Sequence, residues 1–164
     1  MTGAPLSAEA VDGAAFDFTH PLEPGAGCQI APISRLAGLE RSALNLVRIA
    51  PGGQAFPEHL HHNEEEWVYV IAGTGEVLLD GEPHPLSPGS FVAFAPGGPS
   101  HGVRNTGPAE MVCLMGSDKA AADVIDFPEL GHRVVRTGQS FEGAGLSAFQ
   151  PVFPGAPPGP EENP

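Results

Sequence analysis

Short runs of alternating or β-branched residues, closed at close intervals by proline and glycine turns, constrain this chain more than any other feature. Glycine occurs 22 times and proline 19 times in 164 residues, and both residues interrupt helices. Residues 42–50 (SALNLVRIA) alternate as a strand does and stop at Pro51-Gly52-Gly53. Residues 75–79 and the short segment 84–86 flank Asp80-Gly81, a strong hairpin signal. Pro88-Gly89 turns the chain into a strand over 90–94, residues 110–116 form the last clear barrel strand, and residues 131–137 read as an outer strand. Helical periodicity is almost absent; residues 118–125 alone read as one or two helical turns, with Asp118 as the cap. Such a succession predicts an all-β barrel or sandwich.

One stretch adds chemistry to that frame. Residues 53–73 read GQAFPEHLHHNEEEWVYVIAG. Successive side chains of a strand face opposite ways, so His59 and His61 share a face. Two imidazoles on one face can hold one divalent metal, although an isolated HxH is more often an ordinary surface or core pair. Glu66 lies five positions past His61, an offset that one unbroken strand would send to the other face. The polar residues 62–65 predict a turn there, after which a new strand returns Glu66 to the shared side. Further on, His101 follows a Pro- and Gly-rich turn within residues 89–105 (GSFVAFAPGGPSHGVRN) and opens another short strand.

Together these residues resemble the two signature motifs of the cupin superfamily. The first motif, G-x5-H-x-H-x4-E-x6-G, matches at Gly53, His59, His61, Glu66 and Gly73. The second, G-x5-P-x-G-x2-H-x3-N, matches at Pro96, Gly98, His101 and Asn105, with six residues instead of five between Gly89 and Pro96. A bulge can absorb the extra residue, or Ala95 takes the place of the proline in a longer turn. The resemblance covers roughly residues 30–137. It implies a single-domain cupin jelly-roll β-barrel over 28–137, with an extended N-terminal arm over 1–27 and a Pro/Gly-rich C-terminal tail over 138–164. Phe149, Val152 and Phe153 of that tail are candidates to dock on a surface groove.

The resemblance also implies a ligand set: His59, His61, Glu66 and His101 around one divalent transition metal, which in cupins is iron, manganese, nickel, zinc or copper. Three imidazoles and a carboxylate leave positions on a six-coordinate ion for substrate, water or oxygen. The expected function is therefore a metal-dependent enzyme acting on a small polar or carboxylate-bearing molecule, by oxygenase, decarboxylase or isomerase chemistry. A non-catalytic cupin that binds or senses a small molecule is the second reading, since fold alone does not choose a reaction.

Around the ligands, Val68 and Val70 share the parity of Glu66 and are expected, with Phe94, to line the substrate space. Phe56 and Met115 are weaker wall candidates. Arg48, in an otherwise apolar strand, has two readings: inward it binds a substrate carboxylate or pairs with Glu66, outward it is an edge charge. Asn105 either orients His101 from behind or shapes the turn. His62 faces away from its neighbour, and Glu64 and Glu65 read as a solvated turn. Trp67, Tyr69 and Ile71 form an outward apolar row, which predicts a homodimer.

Charge excludes some partners. Seven Lys and Arg stand against 20 Asp and Glu, for a formal net charge of -13. Such a surface repels phosphate backbones and anionic membranes, so no nucleic acid or membrane partner is expected. Cys28 and Cys113 are the only cysteines; they fit no metal or redox spacing and read as buried thiols. No basic leader with an apolar core and no run approaching ~20 apolar residues is visible, so a cytoplasmic location is expected.

Overall fold

The computed structural model describes residues 3–149. In chain order it contains α1 (Ala8–Asp12), β1 (Phe16–His20), β2 (Glu23–Ala31), α2 (Ile33–Leu36), β3 (Ser42–Ile49), β4 (Leu60–His61), β5 (Glu66–Ala72), β6 (Gly75–Leu79) and β7 (Glu82–Leu86). It continues with β8 (Phe91–Phe94), β9 (His101–Arg104), β10 (Met111–Asp118), β11 (Ala122–Phe127), β12 (His132–Thr137) and β13 (Ser140–Gly145). The strands form three antiparallel sheets, ordered β1-β2-β3-β10-β5-β8, β13-β12-β11-β4 and β7-β6-β9. This is the all-β, barrel-forming architecture expected from the turn pattern.

Alternation builds the core. On β3 the odd-numbered side chains turn inward, and Val47 and Ile49 are 1% and 0% exposed. On β10, Met111 and Cys113 pair with Ile49 and Val47 in register, and Val70 of β5 lies opposite Cys113. All five side chains are essentially dry, and each contributes roughly 1.5–3 kcal/mol by leaving water. The burial of Cys113 pushes its thiol up to about 12, so it is an inert packing group.

The same alternation sends Arg48 outward. Its guanidinium meets the Asp12 carboxylate at 2.9 Å and that of Glu110 at 3.5 Å, and it lies away from the interior. Tyr69 and Ile71 are exposed, as expected. Trp67 is half-buried instead: its ring lies over Gly116, where a Cβ would come within 2.2 Å of it, and tilts against Phe91 at 6.3 Å between centroids.

Turns follow residue chemistry. Asp80 and Gly81 both take positive φ, 49° and 83°, as a two-residue hairpin of this kind requires. Gly73, the last residue of the first motif, has φ 78°, and a Cβ there would sit 2.6 Å from the Glu110 carbonyl oxygen. Only glycine fits that approach.

Three expectations change. Residues 118–125 contain no helix: β10 runs to Asp118, and β11 follows with Asp123, Ile125 and Phe127 buried in alternation. Backbone partners on both β12 and β4 make the extended form the better hydrogen-bonded one. Residues 1–27 are more than an extended arm, because β1 and most of β2 add a hairpin to the large sheet. Beyond residue 138, β13 completes the outer sheet on β12. Phe149 rests against the Arg133 guanidinium, 5.4 Å from its ring centroid; Val152 and Phe153 lie outside the described residues. No helix among the described residues is long and apolar enough to cross a membrane.

Asn105 belongs to the frame, not to the backing of His101. Fully buried, its Nδ2 donates to the carbonyls of Ile49 and Ala109, both at 2.8 Å, and its Oδ1 accepts from Gly107 N–H at 2.9 Å. Its backbone N–H donates to Gly53 O at 2.9 Å, so the two motifs are physically stapled together. Asn105→Ala is expected to cost about 2–3 kcal/mol by orphaning buried groups, read in chemical denaturation, with metal content unchanged. Loss of metal in a still-folded variant would instead tie Asn105 to the ligands.

Candidate metal centre

Four side chains from three segments meet inside the barrel. His59 and His101 face each other across a two-residue bridge, with N–H···O bonds of 3.0 and 2.8 Å in the two directions. His61 follows on β4. The chain then turns back: Asn63 N–H donates to Asp123 Oδ1 at 2.9 Å, and Glu65 N–H donates to Asp118 Oδ1 at 2.8 Å. That reversal brings Glu66 to the histidine side as the first residue of β5. Its Oε2 stands 3.4 Å from His59 Nε2, 3.3 Å from His61 Nε2 and 3.0 Å from His101 Nε2.

The outer nitrogen of each ring decides what the inner one offers. His59 Nδ1 meets the Pro57 carbonyl at 2.8 Å, and His101 Nδ1 meets the Pro99 carbonyl at 3.3 Å. A carbonyl only accepts, so both Nδ1 atoms carry hydrogen; each Nε2 either donates to Glu66 as an N–H or, with that proton displaced, offers an electron pair to a cation. His61 Nδ1 bonds the carboxylate of Asp123, which is 0% exposed. Phe94 stacks on the His101 ring, 3.7 Å between centroids and 2° from parallel, and fixes its plane. Three Nε2 atoms surround the Glu66 carboxylate, and donor atoms of His59, His61 and Glu66 lie within 4.8 Å of one another. The donor set therefore fits one divalent ion, with Asp123 as the carboxylate behind a ligating histidine.

Electrostatics agree with that reading. Burial opposes charge on His61, yet the hydrogen bonds and charges of Glu66 and Asp123 win and raise it to about 9. Burial also works against ionised Glu66, but hydrogen bonds from His101, His59 and His61 hold its carboxyl well below the ordinary range. Burial lowers His101 in spite of Glu66.

Behind His61 lies a second acidic pair. Glu64, expected in a solvated turn, is 6% exposed. It pairs with Arg136 and accepts from Ala120 N–H at 2.8 Å, while burial pushes its carboxyl up. Its oxygen lies near those of Asp123 and the His61 ring, but the guanidinium of Arg136 already supplies the countercharge. Asp123 went unrecognised because 118–125 reads as helical; strand alternation would have grouped it with buried Ile125 and Phe127.

The ligands open on a cavity of about 760 Å³. Val68 and Phe94 line it, as do Phe56 and Met115, whereas Val70 is packed in the core and Arg48 lies outside. Further wall residues come from segments assigned to the arm, the outer strand and the tail: Phe18 and His20, His132 and Val134, Phe141 and Gly143. His62 turns away to Asp126 at 2.9 Å.

A β-barrel with inward imidazoles and one carboxylate is the arrangement that the two sequence motifs led us to expect, and comparison with known proteins tests the family. The Cupin domain family model matches residues 45–115. Protein SchB of Streptomyces halstedii is 34% identical over 118 residues, covering 72% of this chain and 82% of that protein. Dimethylsulfoniopropionate lyase DddQ of Ruegeria pomeroyi is 36% identical over 81 residues, 48% of this chain and 39% of the lyase. Among solved structures, a putative sugar phosphate isomerase from Acidithiobacillus ferrooxidans superposes with a TM-score of 0.85 at 28% identity, covering 92% of this chain and 97% of that one. The chain belongs to the cupin superfamily.

Two outcomes test the centre. With no ion bound, the raised value of His61 makes its charged form a source of stability that is complete below about pH 6.5 and lost as pH rises through about 9. A metal taking the Nε2 electron pair must displace that proton, so apparent metal affinity rises with pH up to about 9. Calorimetry in buffers of different ionisation heat at pH 7 should record about one proton released per metal; no release would remove His61 from the ligand set. Asp123→Ala is expected to weaken metal binding about 10–100-fold, measured by competition with a chromophoric chelator. Unchanged affinity would make Asp123 a purely structural group.

Proposed function

We propose that this protein is a metal-dependent enzyme that moves a proton on a small organic substrate bound at the His59, His61, Glu66 and His101 centre. The observation that carries this reading is a pair of further histidines on the cavity wall, His20 and His132. His132 Nδ1 meets the Leu130 carbonyl at 3.1 Å, so it carries the hydrogen, and Nε2 keeps a free electron pair able to accept a proton. His20 Nδ1 accepts from Leu22 N–H at 3.3 Å, which leaves hydrogen on Nε2 in the neutral ring. Burial, helped by His59, lowers His20, so it is neutral near pH 7 and serves as a hydrogen-bond donor. A divalent ion at the centre supplies a Lewis acid for a substrate carbonyl or hydroxyl oxygen.

The relatives point the same way. An isomerase and a lyase, as their names describe them, both suit proton transfer at a carbon beside an activated group. The carboxylate-bearing substrate expected through Arg48 loses its support, because that guanidinium is engaged with Asp12 and Glu110 outside the cavity.

The test uses protein loaded with each candidate divalent metal and a panel of ketones and hydroxyketones in deuterated water. Exchange of hydrogen beside the carbonyl, followed by proton NMR, is expected with metal and absent after chelation. His132→Gln should slow exchange by about 10²-fold or more at unchanged metal content. Stoichiometric metal without exchange on any panel member would leave the binding or sensing role, and oxygen uptake instead of exchange would indicate an oxygenase.

A further inference from the structure

We infer that the ligand of this cavity is an uncharged, flat, largely apolar molecule that offers carbonyl or hydroxyl oxygens at one end, and that it carries no phosphate. The inference deepens the proposed function and rests on it only for the oxygen-binding end. Three observations carry it. First, none of the seven Lys and Arg of the chain lines the cavity. Arg48, Arg104, Arg133 and Arg136 are paired with carboxylates elsewhere. Second, the wall is largely apolar and includes five phenylalanines, Phe18, Phe56, Phe94, Phe127 and Phe141. Third, about 760 Å³ exceeds what a compact acid needs and suits a ring system of drug-like size.

Charge decides the class. A phosphate monoester carries nearly two negative charges at neutral pH, and burying it without a cation costs far more than ring contacts return. Within this wall the bound ion and a protonated histidine would be its only positive partners, and Glu66 already offsets half of a divalent charge. The net charge of -13 repels such an anion at longer range. An aryl ketone meets none of these costs. Its ring gains edge and face contacts with the phenylalanines, and its oxygens face the ligand cluster and the two wall histidines.

Trp67, the single tryptophan, lies beside the cavity with its ring over Gly116, and a change in its fluorescence on titration is the first readout. The probes are 2-hydroxy-1-acetonaphthone and glucose 6-phosphate, each titrated into metal-loaded and chelated protein, with calorimetry as the second readout. The metal-loaded protein is expected to bind the naphthone at least about tenfold more tightly than the phosphate, given the cost of an unpaired buried charge. Phe141→Ser, at a rim position 63% exposed and therefore safe for folding, should weaken naphthone binding about two- to tenfold and leave metal content unchanged. Equal or tighter binding of glucose 6-phosphate overturns the inference, as does undiminished naphthone affinity in that variant. Naphthone binding that is the same with and without metal sustains the apolar-ligand inference and defeats the metal-centred reading. Metal uptake joined to a preference for the phosphate does the reverse.

Discussion

The centre of this protein depends on three imidazoles whose outer nitrogens are already spent. Backbone carbonyls of Pro57 and Pro99 hold His59 and His101, and the carboxylate of Asp123 holds His61. Each ring is thereby turned so that Nε2 faces Glu66. In water such a cluster would scatter into separate hydration shells. Here the bridge between His59 and His101, the turn into β5 and the stacked Phe94 keep the donors together. The cost of assembling them is met by packing elsewhere, chiefly in the dry contact of β3, β10 and β5.

That packing also sorts charge. Alternation on β3 directs Val47 and Ile49 to the core and Arg48 to the carboxylates of Asp12 and Glu110. The guanidinium of Arg136 is spent on Glu64, and that of Arg133 on Asp126. The cavity is left with imidazoles, one carboxylate and aromatic carbon, an environment with no fixed cation of its own. The arginines are anchored away from the cavity, so an anion entering it would find no guanidinium there.

The cavity walls show how an outer layer turns a barrel into a site. β1 contributes Phe18 and His20, β12 contributes His132 and Val134, and β13 contributes Phe141 and Gly143. Without these segments the ligands would sit in an open cleft. With them, the cavity carries two further ring nitrogens and a mostly apolar enclosure, in which electrostatic contacts are stronger than in water.

The sequence by itself determined the strand-and-turn frame and the Asp80-Gly81 hairpin, features written in neighbouring residues as alternation and a turn pair with positive φ. The grouping of His59, His61, Glu66 and His101 as candidate ligands came from the resemblance of two motifs to those of the cupins. The extra residue between Gly89 and Pro96 did not displace His101, because its backbone is pinned by the bridge to His59. Only the tertiary structure decided the rest. Asp123 lies 62 positions from the His61 it orients, and Glu64 lies 72 from Arg136. His20 and His132 enter the same cavity from opposite ends of the chain. Arg48 faces outward because β3 has one dry side, and Asn105 shapes a loop because two carbonyls and an N–H converge on it. A side chain's partners across such distances are set by strand pairing and register, and a single residue of slip would exchange every inward group for an outward one.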